Sequence, residues 1–298
     1  MKNIFITGSN GLLGQAIVTI FTRESDFILK LSSVEKESYL DYGHEYTQLD
    51  ITDKEEVKRV IKFHSPDVII NCAAFTDVDK CETERELCWK LNVDAVKNLI
   101  IAARLEDSKI VHYSTDYVFD GKKGPYTEED KPNPISFYGR SKLASENALI
   151  SSGVNYVIIR TMVLIGMGKN VKPNFALWMI NKLRNNEPIN IVDDQIGNST
   201  MADDLAYGSL KIVEKDCKGI YNIAGSDIIS RLKYATILCE VFKFNKNLVS
   251  PIKTSQLNQP APRPLNSGLI TNKAASELGF QTMDSLEALR LLKVQLGY

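Results

Sequence analysis

The sequence predicts an α/β protein, with a Rossmann-type, doubly wound parallel sheet and a smaller C-terminal α/β domain. Three observations predict this class. Short apolar runs alternate with helical patterns over the first half of the chain. Several runs are apolar throughout, as strands are when helices cover both faces of a sheet. A glycine-rich segment then joins the first run to the first helical pattern, which is where this fold has its tightest turn.

The N-terminal elements can be assigned in order from these patterns. We expect strands at 2–7, 27–31, 45–49, 67–71, 109–115 and 154–160. The helical patterns between them cover 12–24, 54–63, 84–105 and 138–150. Thr52 is the expected N-cap of the second helix, because a threonine hydroxyl can accept a hydrogen bond from a free N–H of the first turn.

The pattern becomes less regular after Arg160. Helices are expected at 175–186, 201–215, 230–243 and 284–296, and one more strand at 219–225. The run 257–268 holds three of the ten prolines and predicts an irregular, stiff loop. We therefore expect a first domain at 1–161 and a smaller domain at 162–298, with about 192–224 packing back onto the first.

Composition excludes several classes of protein. Of the 298 residues, 44% are apolar and 24% charged, and the net charge is −1, which argues against binding to nucleic acid or to a membrane surface. No apolar run approaches the ~18 residues of a membrane span, and the first one meets glycines too early for a signal peptide. The five cysteines show no CxxC spacing. We expect reduced thiols, a cytoplasmic location and no metal site.

The glycine-rich segment predicts a dinucleotide site. Gly8, Asn10, Gly11, Leu12 and Gly14 lie between a strand and a helix. Glycines permit the tight turn and leave backbone N–H groups open to a diphosphate at the helix N-terminus.

The choice between the two dinucleotides depends on the end of the second strand. NAD-binding proteins usually place an acid there, but this strand ends Leu31-Ser32-Ser33. We therefore expect NADP, with its 2′-phosphate bound by Ser32, Ser33, Lys30 or Lys36. NAD is the alternative, if Glu35 or Glu37 reaches back to that position.

Three polar residues predict proton-transfer chemistry at the same sheet edge. Thr115 ends a strand, and Tyr138 follows 23 residues later with Lys142 one helical turn beyond it. A cation beside a phenol lowers its pKa, so the pair can serve as proton donor and acceptor. The spacing alone is weak evidence, because it recurs at Tyr207 and Lys211, where we expect only a helix surface.

These motifs together resemble the extended short-chain dehydrogenase/reductase superfamily, with its G-x-x-G-x-x-G loop and Ser/Thr–Tyr–Lys triad. The resemblance includes Asp50-Ile51, which implies an adenine contact. It also includes Asn71-Cys72-Ala73-Ala74, similar to the family's N-x-A-A turn beside the nicotinamide ribose, so Cys72, Ala73 and Ala74 are implied in cofactor binding. The implied mechanism is hydride transfer to a carbonyl, with Tyr138 as proton donor.

Longer segments resemble the dTDP-4-dehydrorhamnose reductase family. They are NCAAFTDVDKCE (71–82), STDYVFDGKKGPYTEEDKPNPISFYGRSKLASE (114–146), DDQIGNST (193–200) and PRPLNSGL (262–269). The resemblance implies reduction of the 4-keto group of a nucleotide-activated deoxysugar for cell-surface polysaccharide synthesis. The substrate-facing residues that it implies are Val78, Asp79, Thr115, Asp116, Val163 and Arg263, with Arg263 suited to a diphosphate.

The sequence departs from this family at two positions. Met162-Val163 stands where the rhamnose enzymes carry Ser-Trp, which puts specificity for rhamnose in doubt. Ala16 stands where some members place a metal-associated glutamate, so no metal is expected.

Two other functions remain open at this point, together with the oligomeric state. One is a sugar-nucleotide epimerase, and the other is a non-catalytic NADP-binding regulatory subunit similar to the beta subunit of methionine adenosyltransferase. The chain leaves the choice between a monomer and a homodimer undecided.

Overall fold

The computed structural model describes residues 1–298, and its centre is a seven-stranded parallel sheet. In spatial order the strands are Gly219–Asn222, Tyr156–Thr161, Lys109–Thr115, Val68–Asn71, Asn3–Thr7, Ile28–Ser33 and Glu45–Gln48. Every pairing is parallel. The strand order reverses beside Asn3–Thr7, so the predicted doubly wound class is confirmed.

Helices cover both faces of this sheet, and each face has its own apolar core. The helices are Leu12–Glu24, Lys54–His64, Ala95–Leu105, Phe137–Ile150 and Ala202–Glu214. Ile17 and Leu205 are fully buried in one core, while Val57 and Leu99 are fully buried in the other. Because strands between two such layers are buried on both faces, their sequences are apolar throughout.

The predicted helix at 84–105 is wrong as a single element. The structure has Val78–Thr83, Arg85–Trp89, a π-helical turn at Lys90–Asp94, and then Ala95–Leu105. The π turn directs Asn92 inward, where its amide accepts from Phe75 N at 2.8 Å and donates to Phe75 O at 3.0 Å. The predicted cap of the second helix is also wrong, because Asp53 and not Thr52 accepts from Glu55 N and Glu56 N.

The C-terminal part packs three helices around a separate apolar cluster that includes Met179, Leu238 and Leu289. These helices are Phe175–Arg184, Arg231–Phe242 and Ser285–Gln295, and a short one covers Asn272–Leu278. The short strands pair as Leu164–Ile165 with Thr200–Met201, Ile189–Val192 with Val249–Ile252, and Ile196–Gly197 with Ile229–Ser230. Single 3₁₀ turns occur at Asp116–Val118, Lys246–Leu248 and Thr254–Gln256. None of the helices combines the length and apolar character that crossing a bilayer requires.

Candidate active site

A cavity of about 560 Å³ lies at the carboxyl edge of the sheet, between the two parts of the chain. Parallel strands end at this edge, and ligands of doubly wound proteins bind there. The cavity brings together eleven of the predicted site residues: Gly11, Leu12, Gly14, Cys72, Ala74, Val78, Thr115, Asp116, Tyr138, Lys142 and Val163. The wall of the cavity therefore runs from the glycine loop to the Tyr138 helix.

The glycine loop has the close backbone packing that a dinucleotide site needs. Gly8 has a φ of +66°, and a Cβ there would lie 2.7 Å from Ala73 N. A Cβ on Gly14 would lie 2.3 Å from Gly8 O. Side chains are therefore excluded at these two positions, and the first turn of Leu12–Glu24, which has no side-chain cap, borders the cavity. The predicted residues fit a diphosphate on these grounds.

The predicted roles at the second strand do not match its geometry. Ser32 is fully buried, and its hydroxyl donates to Ile6 O at 3.3 Å, so it is not exposed to a 2′-phosphate. Glu35 does reach back, and accepts from Asn10 Nδ2 at 3.2 Å and from Ser33 Oγ at 2.5 Å. Burial opposes ionisation, but these hydrogen bonds hold the pKa of Glu35 below its usual value. A negative charge therefore lies beside Asn10.

The adenine-side residues lie outside the cavity. Asp50 is exposed and accepts from Thr52 N at 2.8 Å. Ile51 is 3% exposed and packs in the apolar core, while its carbonyl accepts from Asn98 Nδ2 at 3.1 Å. The implied adenine contact of these two residues stays a prediction.

Tyr138 is buried against the cavity, near Thr115 and Asp116. Burial raises the pKa of its phenol, the charge of Asp116 raises it further, and the Thr115 hydroxyl lowers it. The phenol therefore stays protonated until a stronger base develops beside it. The predicted lowering of its pKa by Lys142 is not found, because the Lys142 ammonium faces His112, with Nζ 3.3 Å from His112 Nε2.

Thr115 is held by its neighbours at the end of the strand. Its hydroxyl donates to Asp116 Oδ1 at 3.0 Å and accepts from Tyr117 N at 3.2 Å. Ser267, from the C-terminal part, donates to Asp116 Oδ2 at 2.6 Å. Burial raises the pKa of Asp116 to about 6, although the bonds from Ser267 and Thr115 act in the opposite direction. Asp116 thus connects the Thr115 hydroxyl to the C-terminal loop.

The two residues implied as substrate contacts on facing segments are bonded to each other. Arg263 Nη2 donates to Asp79 Oδ2 at 2.7 Å, and neither side chain lines the cavity. Val163 does line it, with a φ of +43°. A β-branched residue rarely adopts this left-handed conformation, which costs about 1–3 kcal/mol and is often found at functional positions.

Several polar residues of the cavity wall were not predicted as site residues, among them Arg231 and Ser114. The Arg231 guanidinium lies 5.0 Å from the centre of the Phe175 ring and forms no ion pair. Ser114 has a buried hydroxyl without a hydrogen-bond partner in the protein. No motif marks Arg231, which follows the N-cap Ser230 of a helix in the C-terminal part. Ser114 lies beside Thr115, so its strand position was the available signal.

The glycine loop and the buried Tyr138–Lys142 pair thus lie on the wall of the same cavity. The chain is an NAD(P)-dependent oxidoreductase of the extended short-chain dehydrogenase/reductase type. A family model described as "RmlD substrate binding domain" matches residues 1–295. The chain therefore belongs to the dTDP-4-dehydrorhamnose reductase family, which confirms the family inferred from its motifs.

Individual relatives span nearly the whole chain. A dTDP-4-dehydrorhamnose reductase of Aggregatibacter actinomycetemcomitans is 33% identical over 98% of this chain and 99% of its own length. A crystal structure of dTDP-4-dehydrorhamnose reductase from Bacillus anthracis, in complex with NADP, superposes on this chain with a TM-score of 0.86. The two sequences are 31% identical, and the alignment covers 99% of each chain. The methionine adenosyltransferase 2 subunit beta of Xenopus laevis is 29% identical over 91% of this chain and 81% of its own length.

Proposed function

We propose that the protein reduces the 4-keto group of a nucleotide-activated deoxysugar in the cytoplasm, for cell-surface polysaccharide synthesis. The observation that carries this proposal is the position of Tyr138. Its phenol is buried on the cavity wall beside Thr115 and Asp116, and the cavity extends from there to the glycine loop. The names of the reductase relatives supply the substrate class.

The cofactor is NADP by preference, with NAD as the alternative, and when bound it supplies the hydride. The loop Gly8–Gly14 would hold its diphosphate, because Gly8 and Gly14 allow the tight turn before the helix N-terminus. Cys72 and Ala74 line the cavity beside the loop and would border the nicotinamide ribose. The relative from Bacillus anthracis, in complex with NADP, supports the preference, while the Glu35 carboxylate favours the 2′-hydroxyl of NAD.

Tyr138 would donate a proton to the substrate oxygen as negative charge develops there. Its high pKa suits this role, because the phenol gives up its proton only to a strongly basic oxygen. Lys142 would hold the ribose hydroxyls with its ammonium. Burial lowers the pKa of Lys142 to about 8, so the cation is present at neutral pH and is lost as the pH rises above that value.

The substrate would lie against Val78, Asp116 and Val163, and the Thr115 hydroxyl would turn from Asp116 Oδ1 to donate to the keto oxygen. Val163 replaces an aromatic residue with a small aliphatic one, so we propose a sugar or a binding mode different from that of the rhamnose enzymes. Arg231, like Lys142, is a cation on this wall without an ion-pair partner, and it would meet an anionic group of the substrate.

A substrate panel tests the proposal directly. Purified protein is incubated with NADPH or NADH and with dTDP-, GDP- and UDP-linked 4-keto-6-deoxysugars, and cofactor oxidation is followed. We expect stoichiometric oxidation with at least one of these sugars. Isomerisation without net oxidation would favour an epimerase, whereas tight NADP binding without any turnover would favour a regulatory subunit. Both results would reject the proposed reductase.

We also propose the domain division at residue 161, with about 192–224 belonging to the first unit. The strand Gly219–Asn222 supports it by pairing with Tyr156–Thr161, and the separate cluster around Leu238 supports a second core.

A homodimer is proposed as the assembly, and sedimentation of the purified chain tests it. A single monomeric species would reject that part of the proposal.

A further inference from the structure

His112 lies at the centre of a buried polar network beneath the cavity. It is 1% exposed, in the strand Lys109–Thr115. Its Nδ1 lies 3.2 Å from Asn71 Nδ2, and its Nε2 lies 3.0 Å from Ser145 Oγ. The same Nε2 lies 3.3 Å from Lys142 Nζ. The mechanism proposed above does not use this imidazole, although it contacts the lysine that the mechanism needs.

The orientation of Asn71 determines which imidazole nitrogen carries the proton. Its Oδ1 accepts from Ala73 N at 3.2 Å, and a backbone N–H can only donate. The same oxygen accepts from Thr7 Oγ1 at 2.7 Å. The amide therefore cannot be turned around, and Asn71 Nδ2 must donate to His112 Nδ1. Because Nδ1 accepts, a neutral His112 carries its proton on Nε2.

The contacts of Ser145 agree with this tautomer. Its hydroxyl donates to Lys142 O at 2.7 Å, so its oxygen is free to accept from His112 Nε2–H. Burial and the nearby charge of Lys142 hold the pKa of His112 well below its usual value, so the ring stays neutral. Every polar atom of the imidazole is thus assigned.

This assignment leaves the Lys142 ammonium without an acceptor on His112, since Nε2 offers an N–H in place of a lone pair. The other titratable groups around it are Tyr138 and Glu146 on its own helix and Cys88 on the helix Arg85–Trp89. Glu146 is paired with Arg160 at 2.7 Å, and no hydrogen bond joins Lys142 to any of these groups. The three N–H donors of the Lys142 ammonium therefore make no hydrogen bond to an acceptor in the protein.

We propose that His112 is a positioning residue. Its fixed Nε2–H tautomer cannot accept a hydrogen bond from Lys142, so the ammonium N–H groups remain available to the cofactor ribose and Tyr138. A histidine with its proton on Nδ1 would accept a hydrogen bond from Lys142 and hold the cation away from the cavity. The use of the lysine rests on the proposed function, while the tautomer rests on the hydrogen bonds alone.

The tautomer is measured by ¹⁵N NMR of the intact protein, with and without NADP. The chain has three histidines, so His44→Gln and His64→Gln variants assign the signals. We expect the His112 signals of a neutral Nε2–H ring that does not titrate between pH 6 and about 9. An Nδ1–H ring, or titration near pH 6.5, would overturn the proposal even if the protein reduces no 4-keto sugar.

A pair of variants tests the effect on Lys142 through the pH profile of kcat. His112→Gln places a carbonyl acceptor near the ammonium and so stabilises the charged form of Lys142. The pH above which kcat falls, here called the alkaline limit, should rise by about one unit, while the maximal kcat falls about tenfold. His112→Asn can still accept from Asn71 but is too short to reach Lys142, so its alkaline limit should stay in place. Equal profiles for both folded variants, as judged by thermal melting, would overturn the role of the tautomer. If His112→Gln does not fold, the NMR measurement decides.

Discussion

Arg263 and Asp79 form a two-pronged ion pair that joins the proline-rich loop to the helix Val78–Thr83. Both terminal guanidinium nitrogens donate to the carboxylate, and Arg263 Nη2 lies 2.7 Å from Asp79 Oδ2. Arg263 holds the pKa of Asp79 below its usual value, against the effect of burial. The pair connects the two parts of the chain, so the Arg263 guanidinium already has a carboxylate partner within the protein.

This ion pair predicts coupled effects in the two single variants. Arg263→Gln and Asp79→Asn should each lower the melting temperature and raise KM for the sugar nucleotide. Because the side chain of Asp79 is 34% exposed and partly screened, we expect a coupling of about 1 kcal/mol in a double-mutant cycle. The double variant should therefore be little worse than either single one. Additive losses would show that Arg263 binds substrate independently of Asp79.

Arg231 is predicted to contribute more to substrate binding than Arg263. Its guanidinium lines the cavity and forms no ion pair. Arg231→Gln should raise KM for the sugar nucleotide about tenfold or more, because one charge-assisted hydrogen bond to a charged group is worth about 1.5–3 kcal/mol. The affinity for NADP, measured by calorimetry, should not change. The exposed Arg290 offers a matched control, and Arg290→Gln should leave both constants unaltered.

Asp116 is predicted to make stability depend on pH. Its pKa is raised to about 6 by burial, above that of an unfolded aspartate, so the folded state favours the protonated form. The cost of the buried charge therefore appears as the pH rises from about 4 to 6 and is constant above 6. Asp116→Asn removes that cost. The melting temperature of Asp116→Asn minus that of the wild type should therefore be more positive at pH 8 than at pH 4. A difference independent of pH would contradict the assignment.

Glu35 is predicted to limit the preference for NADP. Its carboxylate is held beside Asn10, where a 2′-phosphate would meet a like charge. Glu35→Gln keeps the side-chain size and removes the charge, so the ratio of the Kd values for NADH and NADPH should rise about tenfold. Glu37→Gln is the control, because only the backbone carbonyl of Glu37 contacts Asn10. An unchanged ratio in Glu35→Gln would place the 2′-phosphate elsewhere.

The sheet and its flanking helices could be predicted from local patterns, because strands that are buried on both faces have continuously apolar sequences. The helix Leu12–Glu24 was predicted with its observed bounds. The break near Asn92 was not, because the π turn depends on hydrogen bonds to Phe75, which lies 17 residues earlier. Helical periodicity alone continues through this segment and gives no sign of the interruption.

The site could be predicted only where a motif combines with a strand end. Thr115 and Gly11 met that condition, Tyr138 was found through its spacing from Thr115 and Lys142, and all three line the cavity. Arg231 belongs to no motif, and Ser32 lies at a strand end but is fully buried, so the exposure of each depends on tertiary packing. The strained backbone at Val163 also has no signature in the sequence, because valine is a residue that rarely adopts a positive φ.

Tyr138→Phe provides the most direct test of the central claim, which is that the buried phenol donates the proton in a 4-keto reduction. NADPH oxidation is measured with the best sugar of the panel, next to Tyr207→Phe. The second tyrosine packs on Phe280 and under Lys211, outside the cavity. We predict that Tyr138→Phe loses about 10²-fold or more in kcat and keeps its NADPH affinity, while Tyr207→Phe stays close to wild type. Retained turnover in Tyr138→Phe, or an equal loss in Tyr207→Phe, would contradict the account.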